Sequence, residues 1–513
     1  MTTATGRVFL IGAGPGDPGL ITARGLRLLA LADVVLYDAL VHPDILDACR
    51  PDAERVFVGK RAGKPGERQA LINERLIAQA RAGHLVARLK GGDPFLFGRG
   101  AEEAEVLQAA GVPFEVVPGV PSPAAAAAHA GISLTHRELS SSVAYVTATE
   151  SADKDRSSHD WARLATATDT LVIFMGLRKL DSLMALLVEH GRPADTPAAV
   201  IQWGGLPRQR TVVGTVGTIA GLAREADLGM PALTIVGHVV RLRETLRWYD
   251  TRPLFGQRVL VTRPSEQARS LSLLLRDEGA EPIEAPSIRI VPPEDPAPLA
   301  AAVQNLSAYD WVVFTSRNGV VRFFAEVRAQ GGDARRLGGA RVAAIGPATA
   351  EGLEAFGVRP DQIPGEYRGE AVAEMILAHH NGALGSLRVL LPRAAVARET
   401  LPETLRQAGA HVDVVAAYRS LPPDAAGLAR LRALVTGGEV SVVTFTASST
   451  VASLLELLGD GAVEALRPLT VASIGPITTA TAERAGVRVD VTAKEYTNAG
   501  LVSALVTHFS ERQ

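Results

Sequence analysis

Two glycine-rich loops, each leaving a strand, carry the clearest chemical signal in this chain. One runs Leu89-Lys90-Gly91-Gly92-Asp93-Pro94-Phe95-Leu96-Phe97-Gly98-Arg99-Gly100, between a strand-like run, Leu85 to Leu89, and a helix-like run opened by Glu102 and Glu103. Adjacent glycines at a strand end let a ligand reach bare backbone, and Asp followed by Pro fixes a turn. Such a loop suits a small polar cofactor held by main-chain groups rather than a phosphate cradle. The other loop is Gly12-Ala13-Gly14-Pro15-Gly16-Asp17-Pro18-Gly19. A dinucleotide fingerprint would need glycine at position 17 and an acid about 20 residues further on. Asp38 stands 26 residues after Gly12, near that second place, but position 17 is Asp and two prolines stiffen the loop. A nicotinamide or flavin enzyme is thus one reading of the loop, with its fingerprint incomplete.

These loops need strands to launch them. Residues 7–245 alternate short β-branched runs with helical patterns, which is α/β grammar. The strand candidates are Arg7–Ile11, Val34–Tyr37, Leu85–Leu89, Val143–Thr147, Thr170–Met175 and Ala232–Val236. Proline and glycine in 247–256 break the rhythm and mark a linker. The domains expected are 1–246 and 257–513.

The second region reads twice. Arg258-Val259-Leu260-Val261-Thr262-Arg263 recurs as Arg388-Val389-Leu390-Leu391-Pro392-Arg393, and Ile345-Gly346-Pro347-Ala348-Thr349 as Ile474-Gly475-Pro476-Ile477-Thr478. Val312-Val313-Phe314-Thr315-Ser316 likewise recurs as Val443-Thr444-Phe445-Thr446-Ala447. Arg263 to Arg393 is 130 residues and Thr349 to Thr478 is 129, so this is duplication of a domain rather than a solenoid. Two like lobes leave a cleft, a favoured place for a ligand.

Composition bounds the classes of function. The chain has 513 residues, a formal net charge of −2, 47% hydrophobic residues and 5% aromatics. That balance offers no basic field for nucleic acid and few rings for base stacking. A single cysteine, Cys49, leaves no disulfide within the chain and no thiolate metal cluster. No apolar run reaches the ~18 residues of a membrane span, and the first residues lack a signal-peptide core. The expectation is a soluble cytoplasmic protein with no nucleic-acid or membrane partner and no metal.

The first half resembles a known family. Gly12–Gly19, Tyr37-Asp38, Val58-Gly59-Lys60-Arg61, Arg88–Gly100, Phe114–Gly119, Leu134-Thr135-His136-Arg137 and Met175-Gly176-Leu177 are similar, in order and spacing, to uroporphyrinogen-III C-methyltransferase. The resemblance runs through residues 7–249. It implies a two-lobed tetrapyrrole methylase fold, S-adenosyl-L-methionine bound between the lobes, and a homodimer. It carries cofactor contacts onto Pro15, Gly91, Gly92, Asp93, Leu96, Ser122, Met175, Gly204 and Ala232, and a catalytic pair onto Asp38 and Lys60. Methylating a pyrrole carbon requires loss or shift of a proton, which suits Asp38 as general base. The residues alone leave other roles open: Asp38 as a turn or capping residue, Lys60 as a solvated lysine, Met175 as core. Pro121-Ser122 and Ala148-Thr149 depart from the family pattern and touch local contacts, not the fold. Residues 51–100 hold ten basic against five acidic residues, a local excess matching an acidic substrate. Arg61 and Arg99 are the candidates to grip its carboxylates.

Residues 256–513 resemble uroporphyrinogen-III synthase through Arg258–Pro264, Phe314–Val320, Ile345–Ala350, Leu390–Arg393, Ala417-Tyr418-Arg419 and Ile474–Thr479. The implied fold is a duplicated, two-lobed α/β arrangement, one lobe from 257–290 plus 420–513 and the other from 291–419. The implied reaction closes hydroxymethylbilane to uroporphyrinogen III with loss of water. Orientation dominates that chemistry. Tyr418 is the candidate for assisting departure of the hydroxyl, with Ser316, Thr349 and Thr478 as carboxylate binders at helix N-termini. Helix capping is the alternative for the threonines. The sum is one bifunctional enzyme making precorrin-2 from hydroxymethylbilane; the alternative keeps the methyltransferase and leaves the second half as a silent tetrapyrrole binder.

Overall fold

The runs that the sequence marks as strands are apolar on both faces, which is what a parallel sheet covered on both sides demands. In the computed structural model, which describes residues 6–59, 69–148 and 159–511, they form such sheets only in part. The chain falls into two units, residues 1–258 and 259–505, with 275–281 and 506–513 grouping with the first.

The first unit holds two five-stranded sheets. One is parallel, in the order Glu54–Phe57, Val34–Tyr37, Leu85–Lys90, Arg7–Gly12, Phe114–Val117. Its register sets Gly12 opposite Lys90 and Tyr37 opposite Leu89, so three strands deliver their loops to one edge. Val35, Ala87, Phe9 and Ile11 fill one face of this sheet, and Leu10, Val34, Leu36 and Val86 the other. The other sheet runs Val143–Thr147, Thr170–Phe174, Ala232–Val236, Pro197–Gln202, Arg210–Thr215, and only its first pair is parallel. The segment after residue 246, expected as a linker, is fastened to this unit. Tyr249 is buried, its ring meets His129 edge-on at 4.6 Å, and Trp248 Nε1 donates to Ala128 O at 2.8 Å.

The second unit also holds two sheets. One orders Glu281–Glu284, Arg258–Val261, Val442–Phe445, Thr470–Ser473 and Val491–Thr492; the other orders Arg289–Val291, His411–Leu421, Arg388–Ala394, Trp311–Phe314 and Arg341–Ala344. The long strand His411–Leu421 is parallel to Arg388–Ala394 and, at its far end, antiparallel to Arg289–Val291. Duplication is visible atom by atom. Asp361 Oδ2 accepts from Val342 N at 2.7 Å, and 129 residues later Asp490 Oδ2 accepts from Val471 N at 2.9 Å. Tyr367 lies against Gly346 as Tyr496 lies against Gly475, with the two rings 55% and 57% exposed.

Candidate active site

Three loops at the carboxyl edge of the parallel sheet build a floor. Gly14 and Gly92 exchange backbone hydrogen bonds, with Gly14 N to Gly92 O at 3.2 Å and Gly92 N to Gly14 O at 2.9 Å. Both are in the left-handed region, at φ 72° and 71°. A Cβ on Gly119 would lie 2.3 Å from Gly92 O and 2.8 Å from Gly12 Cα, so the third loop joins only because no side chain intervenes. Asp93 ties the set together: Oδ1 accepts from Phe95 N at 2.8 Å and Oδ2 from Gly119 N at 3.0 Å.

Above this floor lies a cavity of about 470 Å³, in the range of small-ligand sites. Pro15, Gly91, Gly92, Ser122, Met175, Gly204 and Ala232 all line it. Asp93 and Leu96 do not line the cavity directly; Asp93 makes the loop bonds above with one acceptor bond on each oxygen, and Leu96 packs against the core of the second sheet. The opposite wall was not legible in the sequence. Phe174, Trp203 and Met230 make it largely apolar, and the Arg208 guanidinium sits 4.0 Å from the Trp203 ring centroid. Met175 and Trp203 both hold left-handed backbone, φ 53° and 51°, a costly conformation for such side chains that clusters at functional sites. His42 also lines the cavity; burial lowers its pKa, and its Nδ1 caps Asp44 N.

Asp38 immediately precedes the lining segment that begins at Ala39. Its carboxylate does not cap a helix. Oδ1 accepts from Arg88 Nη2 at 2.7 Å and Oδ2 lies 3.9 Å from Lys90 Nζ. Arg88 and Lys90 are 2% and 3% exposed, and both bond Glu103 Oε1, at 3.1 and 3.0 Å, with Glu103 itself wholly buried. Gln69 Nε2 adds a third bond to the same oxygen, while Glu103 Oε2 has no partner among the described residues. Burial and then Arg88 push the Lys90 pKa down. Burial would raise Glu103, but Arg88 and Lys90 more than offset it and hold the carboxyl below its usual range. This corrects the basic excess of 51–100: Arg88 and Lys90 are internal counter-ions, not a surface for an acidic substrate. A usable signal existed, since two charges in a strand otherwise filled with apolar residues require a buried opposite charge nearby. Of the remaining candidates, Arg99 is exposed beside Glu102 at 3.4 Å, while Lys60 and Arg61 lie outside the described residues.

In the second unit, Tyr418 and Ser316 come together, with 3.0 Å between their hydroxyl oxygens. Ser316 also caps its helix by accepting from Gly319 N at 3.0 Å. Tyr418 is buried in the lobe's core. Thr349 and Thr478 are buried in the first turns of helices Pro347–Glu354 and Pro476–Arg484, whose N-caps are Gly346 and Gly475, so neither threonine is the cap.

The family of tetrapyrrole (corrin/porphyrin) methylases matches residues 7–220, and that of uroporphyrinogen-III synthase HemD matches 269–503. The porphyrin biosynthesis protein HemD of Ruminiclostridium josui is 38% identical over 489 residues, covering 95% of each chain. The uroporphyrinogen-III C-methyltransferase of Bacillus subtilis (strain 168) is 38% identical over 337 residues, 66% of this chain and 69% of that one. The siroheme synthase of Stutzerimonas stutzeri (strain A1501) is 51% identical over 255 residues, and the match spans 50% of this chain and 54% of that relative. Among solved structures, a uroporphyrin III C-methyl transferase of Thermus thermophilus is 40% identical, covering 46% of this chain and all of its own, with a TM-score of 0.40.

Proposed function

The chain belongs to the tetrapyrrole methylases through its first half and to the uroporphyrinogen-III synthases through its second, and from that premise we propose a two-step path. The second half closes hydroxymethylbilane to uroporphyrinogen III, and the first half methylates that product twice to precorrin-2. S-adenosyl-L-methionine is the methyl donor, supplying an electrophilic methyl on sulfur. The donor cavity fits it: bare backbone at Gly91 and Gly92 for its polar groups, and an apolar wall at Phe174 and Met175 for its less polar parts.

The observation that carries the methylase reading is the anchored carboxylate beside that cavity. Asp38 takes the proton that the macrocycle releases elsewhere on its ring system as the carbon gains its methyl, and Arg88 fixes its angle of approach. Pro15, Ser122, Gly204 and Ala232 shape the remaining contacts. Lys60 completes the catalytic pair with Asp38, and Arg61 and Arg99 meet the acceptor's carboxylates, each charge-assisted bond contributing roughly 1.5–3 kcal/mol. In the second half, Tyr418 donates towards the departing hydroxyl, oriented by Ser316; Thr349 and Thr478 lie at the ends of the helices that receive substrate carboxylates. Dimerisation through the first half and a cytoplasmic site belong to the same proposal. No helix among the described residues is long and apolar enough to cross a membrane.

The test combines both steps: full-length protein, hydroxymethylbilane, and the donor present or withheld, with products separated by mass and isomer. Isomer III without donor and a gain of two methyl groups with it are expected. Isomer I alone would overturn the synthase step; isomer III that gains no methyl would overturn the other. Light scattering at twice the 53.9 kDa chain mass checks the dimer.

A further inference from the structure

Arg263 follows the strand Arg258–Val261, and its partners among the described residues are neutral. Its Nη1 donates to Asn498 Oδ1 at 2.8 Å and its Nη2 to Gln267 Oε1 at 3.1 Å. Gln267 Nε2 in turn donates to Asn318 Oδ1 at 2.6 Å, which joins the helix after one sheet to the helix Arg317–Ala329 after the other. The carboxyl ends of the two sheets therefore meet here, where ligands of α/β folds are bound.

Arg317 stands on the facing side, at the first position of its helix, with no acid in the first turn. A cation there opposes the helix dipole. Burial, and then the Arg317 charge, push Arg263 below its usual pKa. Among the described residues no carboxylate pairs with either guanidinium. Among the described residues, Arg263 has amide partners but no opposite charge, and the nearby Arg317 adds a second positive charge.

The duplication supplies a comparison inside the same molecule. The counterpart of Arg263 is Arg393, which is buried and ion-paired with Glu399. One period before Glu399 the chain has Arg269, exposed, so a positive charge replaces the acid. Arg317 corresponds to Ser448 in the other copy. One of two equivalent corners is internally neutralised, and the other has no ion-paired acid among the described residues.

We propose that Arg263 and Arg317 form a carboxylate-binding corner between the lobes of the second unit, completed by an acidic side chain of its polycarboxylate ligand. Guanidinium forks match carboxylates in a bidentate manner and stay charged at any working pH. The inference rests on the synthase reading for the identity of that ligand, not for the corner's charge.

The experiment uses the full chain and the variants Arg263→Gln and Arg317→Gln, with methylation of supplied uroporphyrinogen III as the control for folding. Each variant is expected to raise KM for hydroxymethylbilane about tenfold or more, with kcat within about threefold, and to flatten the dependence of KM on salt. Affinity for uroporphyrin III, an octacarboxylate, is titrated in parallel and should fall by a similar factor. Wild-type protein that makes only isomer I, yet loses porphyrin affinity in both variants, would remove the synthase reading and keep the corner. Unchanged KM and unchanged affinity in both variants would overturn the corner.

Discussion

Arg88 and Asp38 are 2.7 Å apart, an ion pair in which the cation is sealed inside the sheet and the carboxylate is 29% exposed. The arrangement resembles a lever on a fixed pivot: the buried strand residue cannot move, so the acid at the cavity's edge keeps one orientation. A carboxylate on a free loop would pay rotamer entropy each time it met its substrate.

Asp38→Asn keeps the shape and removes the basic oxygen. Methylation is expected to fall by about 10²–10⁴-fold, the usual range for a positioned base. Calorimetric affinity for S-adenosylhomocysteine should change by less than about twofold. Unchanged turnover would take Asp38 out of the base role.

Arg88→Met leaves Glu103 with one cation fewer and Asp38 with none at bonding distance. Breaking a buried pair from one side typically costs about 3–5 kcal/mol. Denaturant unfolding of the first unit measures it, and a loss below about 1 kcal/mol would contradict the burial described for this network.

Glu103 is held below its unfolded value of 4.5, so the unfolded chain binds more protons between the two values. Its contribution to stability is complete above pH 4.5 and is lost as the pH falls towards the folded value. Calorimetry from pH 6 downwards should show a shallower acid loss for Glu103→Gln than for wild type, from a lower starting stability.

Gly119→Ala puts a methyl 2.3 Å from Gly92 O and forces the cavity floor apart. Affinity for S-adenosylhomocysteine should drop at least about tenfold. Gly221→Ala is the counterweight: it lies in the helix Ile219–Glu225 with open space around it, and alanine there should add about 0.5–1 kcal/mol.

Tyr418→Phe preserves the ring in its core and deletes the bond to Ser316. Formation of isomer III should slow at least about tenfold while stability changes by about 0.5–1.5 kcal/mol, the net worth of one hydrogen bond. An isomer ratio and rate equal to wild type would dismiss the hydroxyl.

Much of this was readable because short-range rules govern it. Strand ends at Gly12 and just before Asp38 and Gly91 follow, to within one residue, from periodicity and turn chemistry, and the strands Val34–Tyr37, Val143–Thr147 and Ala232–Val236 match residue for residue. The strands Pro197–Gln202 and Arg210–Thr215 went unread. Arg88 and Lys90 were misread because a count of charges along the chain cannot tell a solvated face from a buried network; Glu103, which decides between them, lies on another element. Trp203 escaped for a similar reason, since its place in the cavity is set by a left-handed turn that no periodic pattern announces.

The two copies in the second unit part company where they matter most. Counting one period of 130 back from Tyr418 reaches Ile288, and the eleven-residue strand His411–Leu421 answers to only four residues, Glu281–Glu284, in its twin. Identical halves would receive an unsymmetrical thread from either end with equal ease. The divergence gives this pair a head and a tail, an asymmetry that the duplication by itself would lack.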